Sequence, residues 1–188
     1  MNDLRLITPS LEALPQYAAA LERGWSPDNI GGRKTALEQL VQIAEDPEAF
    51  LGTQDDPQGL GPSLTLPDGS KVPRLPGYYR WIWDGEFCGT VGFRWAPGTA
   101  ELPEYVLGHI GYGVVPWKQG RGYAKRALGL ILPEARGLGL PYVHLTTTPE
   151  NIASQRVIEA NGGHLIERFF EPPAYGRGLE ALRYRIAL

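Results

Sequence analysis

H-I-G-Y-G-V-V-P-W-K-Q-G-R-G-Y-A-K-R-A-L-G-L-I-L-P-E-A, residues 109–135, changes its physics twice along its length. Together with the residues just before it, the part up to Val115 is apolar and β-prone, interrupted by Gly108, Gly111 and Gly113. It predicts a buried strand over 105–115 that carries a bulge or a close backbone approach. Pro116 ends the ladder, having no N–H to donate. Residues 119–124 then form a tight cationic turn with two glycines. From Gly122 onward, Ala124, Ala127, Leu128, Ile131, Leu132 and Ala135 recur at helical spacing, which predicts one buried helix face. Pro133 should remove a helical hydrogen bond and press on the carbonyl of Gly129, so a kink or an early end is expected near Leu132.

A strand, a glycine turn and a helix start, in that order, suit an anion. The first helical amides have no intrahelical partner, and the helix dipole adds partial positive charge there. Gly120 and Gly122 lack the Cβ atoms that would keep phosphate oxygens away from those amides. Lys118, Arg121, Lys125 and Arg126 place four cations within nine residues. A plain glycine turn ahead of a helix would look the same. The turn is not a P-loop, because G-x-x-x-x-G-K-[ST] is missing, and no dinucleotide fingerprint with an acidic residue about 20 positions on is present.

Gln119-Gly120-Arg121-Gly122-Tyr123-Ala124 resembles the [Q/R]-x-x-G-x-[G/A] loop of the GNAT family of N-acetyltransferases. Val114-Val115-Pro116 is similar to that family's V-x-P strand end. Asn151-Ile152-Ala153-Ser154 resembles its N-x-x-S helix start, followed by a turn at Asn161-Gly162-Gly163. The motifs stand in the family's order, and the close resemblance spans about residues 78–188.

Composition sets wider bounds. The 188 residues fit a single domain, 1–188, with a core large enough to need no staples. Apolar content of 43% and charged content of 21% are ordinary for a soluble globular protein. The lone Cys88 permits no internal disulfide and suits a reducing cytoplasm. No apolar run approaches the ~20 residues of a membrane span, and no signal-peptide pattern opens the chain. A net charge of −3 disfavours broad binding to nucleic acid.

Elsewhere, residues 4–8 predict a strand, and Ser10 should cap a helix that ends at Gly24. A second helix is expected over 34–45, with Pro47 either ending it or opening a further turn. Residues 52–77 are rich in Pro, Gly and Asp, and Asp68-Gly69 predicts a hairpin turn between 64–66 and 71–72. Such a long excursion either borders a functional pocket or lies on the surface. Asp84-Gly85 predicts a hairpin joining strands 78–83 and 86–95. Trp81, Trp83, Phe93 and Trp95 read as sheet packing before they read as an acceptor pocket. Cys88 reads as a small apolar core residue. Residues 142–146, 164–170 and 182–188 complete the strands.

The resemblance implies an α+β fold with a mixed, mostly antiparallel central sheet, helices on both faces and a splay between the two central strands. Acetyl-CoA is then the co-substrate, and no metal is expected. Its pantetheine arm would lie along Tyr112, Gly113, Val114 and Val115, with its pyrophosphate on Gln119, Gly120, Arg121, Gly122, Tyr123, Ala124 and Lys125. Asn151 and Ser154 would add contacts from the later helix. The implied reaction is acetyl transfer to a primary amine of a small molecule or peptide, by a protein that is not membrane-bound and for which a homodimer is compatible. The chain departs from the family where catalysis is concerned: Ile158 stands where a tyrosine acid is usual, and Thr146 where an acid is common. His109 and, with less reason, Glu104 remain as bases, since imidazole titrates near working pH. The alternative for His109 is a neutral core imidazole bonded to backbone. Tyr112, Tyr123 and Tyr184 remain as acids. The rival readings are a non-catalytic acyl-CoA-binding module and an enzyme of the same fold with another acyl donor.

Overall fold

The computed structural model describes residues 4–28, 30–66, 68–175 and 177–188. Two compact units emerge from its contacts: one takes the chain up to Asp56 with Tyr78–Gly92 and Tyr112–Leu130, the other Pro57–Gly77, Phe93–Gly111 and Ile131–Leu188.

Strand β1 (Arg5–Ile7) is followed by helices α1 (Leu14–Glu22), α2 (Arg33–Glu45) and α3 (Pro47–Gln54). Ser10 does not cap α1 directly: a turn intervenes, in which the Ser10 hydroxyl accepts the Ala13 amide at 3.3 Å and its carbonyl accepts the amides of Ala13 and Leu14 at 3.2 and 2.9 Å. Pro47 opens α3 instead of merely ending α2. Its missing N–H costs nothing in a first turn, and Asp46 supplies the cap by accepting the Ala49 amide at 2.9 Å. The expected excursion from 52 therefore begins later, after α3 and the short β2 (Asp55–Asp56). It contains the foreseen hairpin of β3 (Leu64–Thr65) and β4 (Lys71–Val72), with Leu64 opposite Val72; residue 67, inside it, lies outside the described residues.

Strands β5 (Gly77–Trp83) and β6 (Phe87–Arg94) flank the Asp84-Gly85 turn as expected. Next comes β7 (Ile110–Val114), five residues long where eleven were expected. Residues 105–109 are not strand, and two of their amides are bonded elsewhere. Val106 N–H closes a turn on the Pro103 carbonyl at 2.8 Å, and His109 N–H donates to the His144 carbonyl at 2.8 Å. Helix α4 (Tyr123–Gly137) follows a 3-10 turn at Pro116–Lys118. It runs through Pro133 with no early end. Leu128, Ile131 and Ala135, all fully buried, lie on both sides of the proline, and their burial outweighs the single lost hydrogen bond. Strand β8 (Tyr142–Thr147), helix α5 (Ile152–Glu159), β9 (His164–Phe170) and β10 (Glu180–Ala187) complete the chain.

The strands form an α+β arrangement whose hydrogen bonding separates them into β1-β5-β6-β7, with β2 also on β5, and antiparallel β8-β10-β9. Strands β7 and β8 each end a sheet.

In the first unit, the core is an aromatic stack centred on Tyr17 of α1. Its ring lies parallel to Trp81 at 4.7 Å, while Trp25 and Phe87 meet it edge-on at 5.7 and 5.3 Å. The hydroxyl escapes burial unsatisfied by donating to Gln39 Oε1 at 2.6 Å. Trp81 is thus core, as the sequence favoured, and fully buried Phe93 in the second unit stacks on Trp95 at 5.2 Å. Cys88 is fully buried, and burial first, then the neighbouring Asp84, pushes its thiol up to about 12, so it packs as an inert apolar group.

Candidate active site

The first unit holds Tyr112 through Lys125. Val114, at the end of β7, keeps its carbonyl occupied by the Gln119 side-chain amide at 3.1 Å. The chain then turns through Pro116–Lys118 and enters the glycine loop. Gly120 and Gly122 sit at φ +75° and +76°, a region that side-chain-bearing residues rarely adopt, and no described atom lies within 4 Å of where their Cβ atoms would be. The space above both glycines is open. Gly122 also receives the first turn of α4, its carbonyl accepting the Arg126 amide at 3.1 Å. The loop thus presents bare backbone at a helix N-terminus beside exposed Arg121, the arrangement that binds phosphate oxygens.

The glycines of the preceding strand sort into different causes. A Cβ on Gly108 would stand 3.0 Å from the His144 carbonyl oxygen, so this glycine permits a close backbone approach. Gly113 has no described atom within 4 Å of that position, leaving room for a ligand along β7.

Lys118 does not fit the expected set of four loop cations. Its side chain is 9% exposed, and its ammonium is held by Asp84 at 2.7 Å and Glu86 at 3.0 Å. Asp84 also accepts from the Tyr123 hydroxyl at 2.6 Å. Burial pushes the Asp84 carboxyl up, but hydrogen bonds from Lys118 and Tyr123 outweigh it and leave it lowered to about 2. At Lys118, hydrogen bonds to Asp84 and Glu86 outweigh burial and hold it charged above the usual lysine range. Asp84 and Glu86 gave no sign of this in sequence beyond a hairpin turn.

In the second unit, His109 is fully buried. Its Nδ1 accepts the His144 amide at 2.9 Å, which leaves the ring proton on Nε2; that atom has no hydrogen-bond partner among the described residues. Burial, then His144 and Arg94, lowers its pKa to about 4. His144, on β8, is held neutral by burial and by Arg185, whose Nε donates to its Nε2 at 3.1 Å. The Arg185 guanidinium covers the Tyr142 ring at 4.0 Å, and the Tyr142 hydroxyl donates to Glu101. This cluster was invisible in the sequence because it depends on register: Arg185 pairs with His144 across β10 and β8.

The other expected residues are placed as follows. Asn151 caps α5, accepting the Ser154 amide at 3.1 Å, so its side chain has a structural use. Ile158 is core. Tyr184 is buried with its hydroxyl 3.4 Å from Glu159. Tyr112 is half-buried on β7, and Glu104 is exposed in the turn before His109. No cluster of three or more His, Cys, Asp or Glu among the described residues could hold a metal ion, and no described helix is long and apolar enough to cross a membrane.

Comparison with known proteins points one way. No curated protein matches the sequence. In fold, the chain is similar to RimL, a ribosomal-protein alpha-N-acetyltransferase solved with coenzyme A (13% identity, 100% of this chain and 96% of that one, TM-score 0.64). It is similar to a GNAT-family acetyltransferase from Bacillus anthracis (15%, 98% and 94%, TM-score 0.62). It is also similar to the microcin self-immunity acetyltransferase MccE in complex with acetyl-CoA and AMP (12%, 100% and 94%, TM-score 0.60). The sequence model of the acetyltransferase (GNAT) domain matches residues 33–164. The chain belongs to the GNAT family of acetyltransferases.

Proposed function

We propose that residues 1–188 act as one catalytic domain that moves the acetyl group of acetyl-CoA to a primary amine. One observation carries the reading: two positive-φ glycines with open space above them at the N-terminus of α4, beside Arg121. In this reading the pyrophosphate lies on the amides of residues 120–124, and the pantetheine arm runs along β7, where Gly113 leaves room. The acceptor nitrogen attacks the thioester carbon, the C–S bond breaks, the amine gives up a proton and the leaving thiolate takes one. The chain's contribution is chiefly positioning, worth several orders of magnitude when reacting atoms are held in line. No tyrosine on α5 offers a proton, since Ile158 occupies that place. The Tyr123 hydroxyl is already donated to Asp84, so half-buried Tyr112 is the acid this reading favours.

His109 fits a supporting role better than that of a base. A base must reach its amine, whereas this imidazole is fully buried and bonded to backbone. The amine then loses its proton to solvent.

The rival is a non-catalytic acyl-CoA-binding module, favoured by the core isoleucine at 158. Incubating the protein with acetyl-CoA and a panel of small amines and peptides, and following release of free thiol, separates the two. Amine-dependent thiol release is expected. Binding of acetyl-CoA without turnover across the panel would favour the module, and turnover only with other acyl-CoA thioesters would favour a different donor.

A further inference from the structure

One carboxylate reaches both ends of the glycine loop. Asp84 lies in the β5–β6 turn, its side chain 10% exposed. Its Oδ1 accepts from Lys118 at 2.7 Å, immediately before the loop, and its Oδ2 accepts from Tyr123 at 2.6 Å, the first residue of α4 immediately after it. Glu86, from the same turn, adds a second contact to the Lys118 ammonium at 3.0 Å. Between the two anchors stand only Gln119, Gly120, Arg121 and Gly122. Two of these are glycines, the residues that lose the most conformational freedom when ordered. A loop of this composition without anchors would have to be ordered by its ligand, and that cost would be subtracted from affinity.

We propose that Asp84 is a positioning residue that holds the anion loop in its binding shape through Lys118 and Tyr123, and that Lys118 belongs to this brace and is not a phosphate ligand. The proposal rests on the reading of residues 119–124 as the pyrophosphate loop. The ammonium of Lys118 is nearly sequestered from solvent and engaged by two carboxylates, so it cannot turn to a phosphate without leaving Asp84 buried beside no cation. Removing one partner of such a pair is costly because the other charge is left uncompensated. The brace therefore acts at the phosphate end of the ligand and nowhere else.

The test measures CoA binding by calorimetry and binding of pantetheine, which lacks the pyrophosphate and nucleotide, by NMR titration. The variants are Asp84→Asn, Tyr123→Phe, Lys118→Met, the Asp84→Asn/Lys118→Met double and Gly122→Val. Asp84→Asn should weaken CoA about tenfold or more, and Tyr123→Phe, which removes one hydrogen bond, about threefold to tenfold. Pantetheine affinity should stay within about twofold in both, since neither touches its arm. Because Asp84 and Lys118 act as one unit, the double variant should bind CoA no worse than Asp84→Asn alone. Gly122→Val should abolish CoA binding by putting a branched side chain at positive φ in the space the pyrophosphate needs.

Unaltered CoA affinity in a folded Gly122→Val protein would overturn the loop reading and this proposal with it. Loss in Gly122→Val with wild-type affinity in Asp84→Asn and Tyr123→Phe would overturn the brace alone. Equal weakening of pantetheine would reveal general damage and overturn it as well. Further loss on adding Lys118→Met to Asp84→Asn would make the lysine a direct ligand. If Asp84→Asn does not fold, Tyr123→Phe decides, its side chain being half-buried and replaceable without leaving a bare charge.

Discussion

His109 shows how an environment overrides a side chain's usual chemistry. As a residue type it promises a proton acceptor near neutral pH; here, with Nδ1 on the His144 amide and no exposure, it is held neutral down to about 4. The consequence for stability has a definite sign. The folded-state pKa is depressed, so between about 6.5 and about 4 the unfolded chain binds a proton that the folded chain refuses. Stability should therefore fall as pH is lowered through that window, with a full contribution from this residue on the order of 3 kcal/mol. Urea unfolding from pH 7 to pH 4 should show the slope, and His109→Gln should flatten it; the remaining slope belongs to groups such as His144, whose pKa is lowered in the same direction. The same variant reads out the chemistry. A buttress leaves the pH profile of kcat/KM unshifted, which is the expected result. Loss of a direct base would cut the rate about 10²-fold or more and remove the acidic limb.

Among the elements, β6 and β7 show what periodicity can and cannot carry. The glycine loop and the start of α4 were legible because a positive-φ turn and a 3.6-residue apolar repeat are local signals, whereas the end expected near Leu132 is not where the helix stops. The strand over 105–115 was misjudged because its first half satisfies its amides in a turn at Pro103 and on β8, partners that an apolar run does not name. Helix α3 was hidden in a Pro-rich stretch because a proline that stops one helix also suits the first turn of the next. Gly89 of β6 has φ +145°, and a Cβ there would fall 2.0 Å from the Gly113 carbonyl oxygen and 2.8 Å from Val114 Cα. Those are backbone atoms that cannot swing aside. Gly89→Ala should destabilise the fold by about 3 kcal/mol or more, through strain added to a clash, and should disturb β7, the strand proposed to hold the pantetheine arm. Chemical denaturation measures the first effect and CoA calorimetry the second. A variant as stable as the parent would mean that β6 and β7 can separate without cost.

For the whole molecule, family and fold class were readable from ordered motifs, whereas the side-chain clusters were not. The Asp84–Lys118–Tyr123 brace and the His144–Arg185–Tyr142 group join residues 34 or more positions apart, and only the fold supplies that adjacency. The same fold makes a prediction that needs no variant. CoA is expected to bind the native chain and not the unfolded one, because the proposed site rests on backbone conformations at Gly120 and Gly122 that the unfolded chain does not maintain. Mass action then stabilises the native state by RT ln(1 + [L]/Kd), about 2.7 kcal/mol at a hundredfold excess over Kd. For a chain of this length that corresponds to roughly 5–10 °C in melting temperature. Acetyl-CoA should act alike, because the thioester end adds little to the phosphate and pantetheine contacts. ATP and NADH should give clearly smaller shifts: both carry phosphates, but neither has an arm to lie along β7. Amide hydrogen exchange with and without CoA localises the effect, and protection should concentrate in residues 112–126. An equal shift from ATP, or protection spread evenly over the chain, would mean that the loop is a generic anion site and that β7 holds no pantetheine.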